Sequence, residues 1–205
     1  MSDVKLGRRE KYAALTKEAV LDAAKQLFVT EGFDATSVDD IARLSEVSKG
    51  AVYHHFSDKR EVFAELFRAT LASAVQAVID AASPTASAWE SVESAVRAFL
   101  HSYATDADAR GLLRQVTHVL GQDGTRAMYN EVALPLVRAM LVELDRIGEL
   151  RPIAIDTTAQ MLFGVVCDAS TTVAMADQPD QVAHEVEDVM LYMLGGLRTQ
   201  PGETE

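Results

Sequence analysis

Two short stretches of the sequence decide the fold: TSVDDIA at residues 36–42 and VSKGAVYHHF at residues 47–56. In the first, Ser37 precedes an apolar pattern and Asp40 follows three positions later, which resembles a capping box with Asp in place of Glu. In the second, Ser48 precedes another short apolar pattern and is suited to cap a helix. The spacing predicts two short helices joined by a turn of about three residues, which is a helix-turn-helix.

Outside these stretches, apolar residues recur at helical spacing along most of the chain. Hydrophobic residues make up 48% of the sequence, prolines and glycines number only 5 and 11, and the alternating runs typical of strands are missing. The pattern predicts an all-α fold of nine helices, with a three-helix N-terminal domain over residues 1–60 and a helical C-terminal domain over residues 61–205. The predicted helices lie at about 17–31, 37–44, 48–54, 58–83, 86–104, 107–121, 124–148, 155–176 and 179–197. Thr16 is the predicted cap of the first helix, Gly32 its end, residues 1–15 a flexible arm and residues 199–205 a disordered tail.

The charge of the chain is unevenly distributed. The formal net charge is −12, which taken alone argues against a nucleic-acid partner. Residues 1–60, however, hold ten Lys and Arg against ten Asp and Glu, whereas residues 61–205 hold nine arginines and 21 acidic residues. All six lysines precede residue 60, and lysine is a flexible point charge suited to phosphate. The distribution favours an N-terminal part that faces a polyanion, with ordinary variation of a solvated surface as the alternative.

Several classes of protein find no support in the sequence. Cys167 is the single cysteine, which excludes a disulfide framework within the chain and fits a reducing cytoplasm. No uninterrupted apolar run reaches the roughly 18 residues that a membrane span needs, and the basic N-terminus lacks the apolar segment of a signal peptide. Phosphate-binding glycine loops and HExxH, CxxC and GxSxG motifs are missing, so we expect no enzyme, no cofactor and no membrane partner. The adjacent His54 and His55 do not share a helix face, so we expect no metal site either.

The helix-turn-helix carries residue types suited to contact DNA. In this motif the second helix enters the major groove and the first braces the backbone. Hydroxyls and free N–H groups at helix N-termini favour phosphate, and small residues permit close approach. The candidate DNA-binding residues are Thr36, Ser37, Ser48, Lys49, Gly50, Ala51, Tyr53, His54 and Lys59. Each has a plain structural alternative, with Tyr53 in the core and Lys49 or His54 on a solvated surface, but their joint spacing favours DNA binding.

The same residues resemble the tetracycline-repressor (TetR) family of bacterial regulators. The matching pattern is Thr, Ile-Ala, Val-Ser-x-Gly-x-x-Tyr-x-His-Phe and Lys, preceded by Ala-x-x-Leu-Phe-x-x-x-Gly-Phe, and it extends from Ala24 to Lys59. The chain departs from the pattern at two places. Val62 stands where leucine is common, which changes only the packing, and Ser45-Glu46 stands in the turn where the family usually has Ala-Gly. Glutamate adopts a positive φ at a cost on the order of 1 kcal/mol, so either Glu46 is strained or the turn has another shape. Its charge could weaken DNA binding or exclude wrong sequences.

The resemblance implies a homodimeric repressor that binds a palindromic operator in double-stranded DNA and is released by a small, mainly apolar effector. Residues 1–60 would bind DNA, and residues 61–205 would hold the effector and dimerise through the last two helices. A shift of the fourth helix would couple effector binding to DNA binding. The last two helices carry small and apolar residues suited to close approach, although burial in a monomer core is the alternative: Gly164, Ala169, Ser170, Ala174, Val182, Val186, Val189, Met190, Met193, Leu194 and Leu197.

Effector-binding residues are expected among the middle helices. The candidates are His101, Arg114, His118, Met161 and Cys167, with Tyr103 and Asp168 as further polar groups. Met161 and Cys167, together with Trp89, Phe99 and Phe163, are the expected apolar walls. Each has an alternative role as core, as solvated surface or as the partner of an acid, since pockets are mostly apolar with few polar groups. Two other functions stay open: a regulator without a small-molecule effector, and an enzyme that uses Cys167, for which inert burial is the alternative.

Overall fold

The computed structural model describes residues 7–83 and 86–199. Within these ranges the chain is helical apart from its connecting turns and one isolated antiparallel bridge between Leu150 and Arg198, so the all-α prediction is confirmed. The helices are α1 (Arg8–Thr30), α2 (Val38–Leu44), α3 (Lys49–His55), α4 (Lys59–Asp80), α5 (Ala88–Thr105), α6 (Ala107–Val132), α7 (Leu134–Arg146), α8 (Ile155–Met175) and α9 (Pro179–Gly195). Helix α6 is kinked at Gly121, so the described residues form ten helical segments where nine are predicted.

Helix α1 begins two turns earlier than the sequence predicts. Its first residue is Arg8, and Glu10 Oε2 accepts a hydrogen bond from Gly7 N at 2.8 Å in front of it. Thr16 is therefore not the cap but an interior residue, whose hydroxyl donates to Tyr12 O at 2.9 Å. The predicted arm at residues 1–15 is thus helical from residue 8, and residues 1–6 lie outside the described range. Gly32 follows the end of α1 with a φ of +89°, as predicted.

The middle of the chain differs from the prediction at one proline. The sequence suggests a continuous helix from 124 to 148, but the chain breaks at Ala133, and Pro135 lies in the first turn of α7. Proline lacks the N–H of a helix interior and fits the first turn, so it restarts a helix here. The predicted break near Gly121 is present as a kink, where this glycine has a φ of 74° and a ψ of 168°.

Helix α4 is the central element. It contacts α1, α5 and α6, and its buried residues belong to one hydrophobic core that continues from the first helix to the last. Among the described residues it is the one helix long and apolar enough to cross a membrane by length and composition. Its apolar run is interrupted by Glu65 and Arg68, and its inward face packs against three helices, as in the core helix of a folded domain.

Three polar contacts join residues 115–120 of α6 to the end of α1, to the turn that follows it and to the start of α4. Gln115 Oε1 accepts from Phe33 N at 2.7 Å, and its Nε2 donates to Phe28 O at 2.9 Å. The other two are His118 with Asp34, at 2.9 Å, and Arg60 with Leu120 O, at 2.7 Å. The first half of α6 is thereby fastened to the turn between α1 and α2 and to the start of α4. The orientation of the helix-turn-helix therefore depends on α4 and α6.

Candidate nucleic-acid interface and ligand cavity

Side-chain caps hold both helices of the helix-turn-helix. Ser37 Oγ accepts from Asp40 N at 3.1 Å, and Asp40 Oδ2 accepts from Ser37 N at 3.1 Å, so the predicted capping box is present. The hydrogen bonds from Ser37, with a smaller effect of the Arg43 guanidinium, lower the pKa of Asp40. At α3, Ser48 Oγ accepts from Ala51 N at 3.1 Å. Both serines are exposed. The hydroxyl of Ser37 donates to Asp40 Oδ2 at 2.5 Å, whereas the hydroxyl hydrogen of Ser48 can turn toward an acceptor outside the protein.

The turn between α2 and α3 has the shape that a glycine would give it. Glu46 has a φ of 56° and is the one non-glycine residue with a positive φ in the described chain. Ser45 Oγ donates to Ile41 O at 2.7 Å, and Val47 N donates to Ala42 O at 3.1 Å, which closes the turn onto α2. Of the two alternatives left by the sequence, the structure has the left-handed Glu46, whose conformation costs about 1–2 kcal/mol.

Helix α3 has one face in the core and one in solvent. Val52 and Phe56 are buried and fix the helix against the neighbouring helices. Tyr53 is 49% exposed, so it is not a core residue. A Cβ at Gly50 would find Ser48 Oγ at 3.9 Å as its nearest neighbour, so packing within the chain does not require glycine there. Packing within the chain therefore does not account for Gly50 and Tyr53 on the exposed face of α3.

Lys49 is held along this face by Asp39 of α2. The Nζ atom lies 2.9 Å from Asp39 Oδ2, and this hydrogen bond and charge raise the pKa of Lys49. Both side chains are exposed, and an exposed pair contributes little to stability. Lys49 can therefore exchange Asp39 for a phosphate oxygen or the edge of a base.

The two histidines of α3 differ in environment. His54 is exposed, whereas His55 is half-buried, and their ring centroids are 5.2 Å apart. Burial, followed by the nearby His54 and Lys17, lowers the pKa of His55. Across the described residues, no three His, Cys, Asp or Glu side chains are grouped so that they could hold a metal ion.

Two of the DNA-binding candidates face inward, which corrects their predicted role. Thr36 is 2% exposed, and its hydroxyl donates to Gly32 O at 2.8 Å. Lys59 Nζ donates to Phe33 O at 2.5 Å and to Thr36 O at 2.7 Å, and it lies 4.1 Å from the centroid of the Phe33 ring. These side chains fasten the turn between α1 and α2 to the start of α4. They support the interface from behind rather than presenting donors to phosphate.

The interior of the C-terminal helices contains an apolar cavity of about 100 Å³. It lies among α4, α5, α7, α8 and α9, and its walls include the three aromatic residues that the sequence suggested, Trp89, Phe99 and Phe163. Three methionines, Met140, Met190 and Met193, also line it. Methionine is flexible and fills irregular gaps, so this wall can adapt its shape.

None of the five effector candidates lines this cavity. His101 is exposed, and Met161 is 69% exposed on the outer face of α8, so the predicted wall role of Met161 is corrected. Cys167 is half-buried, and burial raises the pKa of its thiol to about 12. A thiol with such a pKa is a poor nucleophile, in keeping with inert burial. Of the further polar groups, Tyr103 is buried beside another concavity and Asp168 is exposed.

Arg114 and His118 have partners elsewhere in the fold. Arg114 Nη1 donates to Ala174 O near the end of α8 at 2.8 Å. His118 Nε2 lies 2.9 Å from Asp34 Oδ2, in the contact between α6 and the N-terminal helices. The sequence left pairing with an acid open, and His118 has such a partner. Local spacing could not name either partner, because the partners are 60 and 84 residues away.

A second concavity, of about 560 Å³, lies between α1 and the body formed by α4, α5 and α6. Two ion pairs lie on its walls: Lys17 with Glu65, at 2.6 Å, and Lys25 with Asp108, at 3.8 Å. Ligand pockets are mostly apolar with a few polar groups. By this criterion, the apolar walls of the cavity near Trp89 suit a ligand better than the walls of the second concavity do. The second concavity has the more suitable volume.

The outer face formed by α8 and α9 is unusually apolar. Met175 is 66% exposed, Val189 60% and Tyr192 88%, beside the exposed Met161 and Met193. Gly164 is exposed on the same helix as Met161, with nothing within 4 Å of a Cβ built on it. Of the small residues predicted at a helix contact between protomers, Ala169, Ser170 and Ala174 are instead buried inside the protomer.

Comparisons with known proteins agree with this architecture. Residues 20–66 match the family described as bacterial regulatory proteins, tetR family, and residues 89–197 match the tetracyclin repressor-like C-terminal domain. The HTH-type transcriptional repressor BepR of Brucella suis is 28% identical over 169 residues, which are 78% of this chain and 80% of the relative.

Two solved structures are also similar. The fatty acid degradation regulator FadR of Bacillus halodurans has a TM-score of 0.72 and 25% identity, over 96% of this chain and 100% of that one. The transcriptional regulator FadR of Bacillus subtilis, solved with stearoyl-CoA, has a TM-score of 0.70 and 22% identity, over 86% of this chain and 96% of that one. The chain belongs to the tetR family of bacterial regulatory proteins and is a DNA-binding transcriptional regulator of that family.

Proposed function

We propose that this regulator is a homodimeric repressor that binds a palindromic operator and releases it when a small apolar effector binds. The observation that carries the proposal is the exposed face of α3, with Lys49, Gly50 and Tyr53 accessible on a helix fixed by Val52 and Phe56. A short helix presented in this way fits the major groove of DNA. The name of BepR, a repressor, favours repression.

We assign residues 1–60 to DNA binding and residues 61–205 to effector binding and dimerisation. The DNA contacts are proposed for the exposed members of the candidate set, Ser37, Ser48, Lys49, Gly50, Tyr53 and His54, together with the half-buried Ala51. Thr36 and Lys59 contribute to DNA binding indirectly, because they hold α2 and α4 in position. As a DNA-binding protein, the regulator is expected in the cytoplasm.

The dimer is proposed to form through α8 and α9. An exposed stripe of Met175, Val189 and Tyr192 on two neighbouring helices is costly in water and suits a helix contact with a second copy. A twofold axis through this contact places two copies of α3 for two half-sites about one DNA turn, roughly 34 Å, apart. Such symmetry requires a palindromic operator.

The effector is proposed to enter the apolar cavity among α4, α5, α7, α8 and α9. Val75 and Val78 of α4 belong to the cavity wall, and α4 starts beside α3. Expansion of the cavity would therefore move α4 and shift the two α3 helices of the dimer apart. The stearoyl-CoA held by the FadR of Bacillus subtilis favours an effector with a large apolar part.

One observation favours a second candidate, a regulator that needs no small-molecule effector. The cavity volume of about 100 Å³ is below the roughly 300–1,000 Å³ of ligand pockets, so an effector must displace side chains to enter. A regulator of this second kind would bind DNA constitutively or answer to a protein.

Footprinting tests both candidates. The purified protein should protect two half-sites with twofold symmetry in the DNA upstream of its own gene at moderate salt, and one member of a panel of apolar metabolites should abolish that protection. Protection that no metabolite changes would favour the effector-free regulator. No protection at all would refute the proposal.

A further inference from the structure

We propose that the indole N–H of Trp89 is the polar anchor of the effector, and that the effector is therefore a neutral, mainly apolar molecule with a hydrogen-bond acceptor such as a carbonyl oxygen. The inference rests on the proposed function, because it takes the cavity among α4, α5, α7, α8 and α9 as the effector site. It adds the chemical class of the ligand and the atom that recognises it.

Trp89 differs in kind from every other residue that lines the cavity. The remaining lining residues among the described chain are all Ala, Val, Leu, Phe or Met, whose side chains offer no N–H or O–H. Among the residues that line the cavity, Trp89 is thus the one whose side chain carries a strong donor, the indole Nε1. A ligand that enters and reaches this buried atom finds there the single side-chain group of the lining residues that can form a directional hydrogen bond.

This donor has no partner within the parts of the chain that the structure describes. Trp89 is 4% exposed, and its Nε1 atom is buried without a hydrogen bond. Buried Trp N–H groups ordinarily find an acceptor, because an unsatisfied donor loses its hydration with nothing in return. An acceptor carried in by a ligand would restore the missing bond, and this gain is available only to ligands that have one.

The surroundings favour a neutral acceptor over a carboxylate. A carboxylate here would lose its hydration among apolar side chains and receive one neutral donor, which does not compensate a buried charge. The nearest cation to the ring, the Arg198 guanidinium, lies over its face at 5.7 Å from the centroid, whereas the N–H lies in the plane of the ring. Arg198 is therefore placed to hold the indole by a cation–π contact rather than to neutralise an anion in line with the N–H.

The position of the indole is fixed by the start of α5. Ser87 caps this helix, with Glu90 N donating to Ser87 Oγ at 3.2 Å and Ser87 N donating to Glu90 Oε2 at 2.6 Å. Trp89 is the second residue of α5, inside this capped turn. A donor on a rigid element loses little conformational freedom when it binds, which makes it a selective anchor.

A pair of probes that differ in one atom group tests the inference. Cyclohexanone and methylenecyclohexane have nearly the same shape, but only the ketone accepts a hydrogen bond. Trp89 is the single tryptophan of the chain, so the protein labelled with ¹⁵N has one indole N–H signal. We expect cyclohexanone to bind and move this proton signal downfield, and methylenecyclohexane to leave it nearly in place.

Calorimetry on variants supplies the second readout. Trp89→Phe keeps an aromatic ring but removes the donor, so cyclohexanone affinity should fall about tenfold while methylenecyclohexane affinity changes less than about threefold. Phe99→Leu, at another aromatic wall position, should affect both probes equally. If Trp89→Phe does not fold, the proton signal of the wild-type protein still decides.

Equal affinity of the two probes, with no downfield shift, would overturn the anchor and leave the effector cavity standing. Failure of both probes to bind would overturn the anchor together with the cavity as an effector site. Release of DNA by an effector that leaves the Trp89 signal unchanged would also overturn the anchor, but it would preserve an effector-controlled repressor.

Discussion

Glu46 is the point at which a single residue decides the geometry of the interface. Its φ of 56° lies in the left-handed region, where a side chain with a Cβ is disfavoured. The turn nevertheless keeps this shape, because Val47 N and the hydroxyl of Ser45 bond back to carbonyls of α2. The neighbouring packing of α2 and α3 therefore outweighs the local cost at Glu46.

Glu46→Gly should stabilise the protein by about 1 kcal/mol, because glycine adopts a positive φ without the steric cost. Thermal and urea denaturation measure this change directly. Glu46→Ala is the matched control, since alanine loses the charge but keeps the Cβ. Equal stability of the two variants would contradict the assignment of strain to this turn. If the charge also weakens DNA binding, both variants should bind DNA more tightly than the wild type.

Gly50 separates a role in folding from a role in DNA binding. Gly50→Ala should leave stability unchanged or raise it by up to about 1 kcal/mol, because alanine favours a helix and the space is open. The added methyl group would stand on the face that we propose approaches DNA, so affinity for the operator should fall about tenfold. The control is Gly195→Ala at the end of α9, where an added Cβ meets nothing within 4 Å. An unchanged affinity of Gly50→Ala would remove this glycine from the interface.

At the scale of elements, α6 acts as the link between the helix-turn-helix and the C-terminal helices. Gln115 is its firmest contact, with one bond from Phe33 N and one to Phe28 O. Gly111 packs on Val29, where an added Cβ would lie 3.3 Å from a methyl carbon, so the two helices approach closely. The kink at Gly121 follows directly and separates this tightly fastened half of α6 from the rest.

Gln115→Met should destabilise the protein by about 1–3 kcal/mol, because the variant keeps the length of the side chain and leaves Phe33 N without its acceptor. Gln115→Glu keeps the acceptor for Phe33 N and loses the donor to Phe28 O, so a smaller loss is expected. Urea denaturation of the wild-type protein and the two variants gives the order of their free energies of unfolding. If Gln115→Glu is less stable than Gln115→Met, the acceptor for Phe33 N is not what the fold requires.

The elements show what the sequence can and cannot predict. Local signals succeed: the capping box at Ser37, the end of α1 at Gly32 and the break near Gly121 are all present. Pro135 is a further local signal, because proline fits the first turn of a helix and not its interior, and it marks the point where the long predicted helix divides. The contacts of Lys59 and Gln115 join residues 26 and 82 positions apart, and no local pattern encodes such a pairing. Lys59 was expected at the DNA interface, and only the packed fold assigns it a supporting role.

For the whole molecule, the distribution of apolar surface is informative. The core runs without interruption from α1 to α9, and yet Tyr192 and Met175 remain largely exposed on neighbouring helices. The sequence indicated an apolar face on the last two helices but placed Ala169, Ser170 and Ala174 on it. Periodicity defines a face without saying whether the partner is within the chain or a second copy, so these positions could be assigned only in the folded structure.

Tyr192→Arg should convert the protein to a monomer and weaken operator binding strongly, because each dimer would bury a pair of related positive charges without partners. Sedimentation equilibrium measures the mass, and circular dichroism checks the fold. Ile79→Arg is the control, since Ile79 is 50% exposed on α4, which is not one of the two helices of the proposed contact. A dimer that persists in Tyr192→Arg, with unchanged DNA affinity, would place the protomer contact elsewhere.

The most direct test of the central claim, that the exposed face of α3 binds DNA, is the affinity of a variant with both Lys49→Ala and Tyr53→Ala for the footprinted operator at fixed, moderate salt. We predict a loss of at least about tenfold, because a phosphate or base contact is removed and Asp39 loses its cation. Stability should be nearly unchanged, and Arg146→Ala, which removes an exposed positive charge at the end of α7, should bind as the wild type does. A folded double variant that binds the operator as tightly as the wild-type protein would contradict the account.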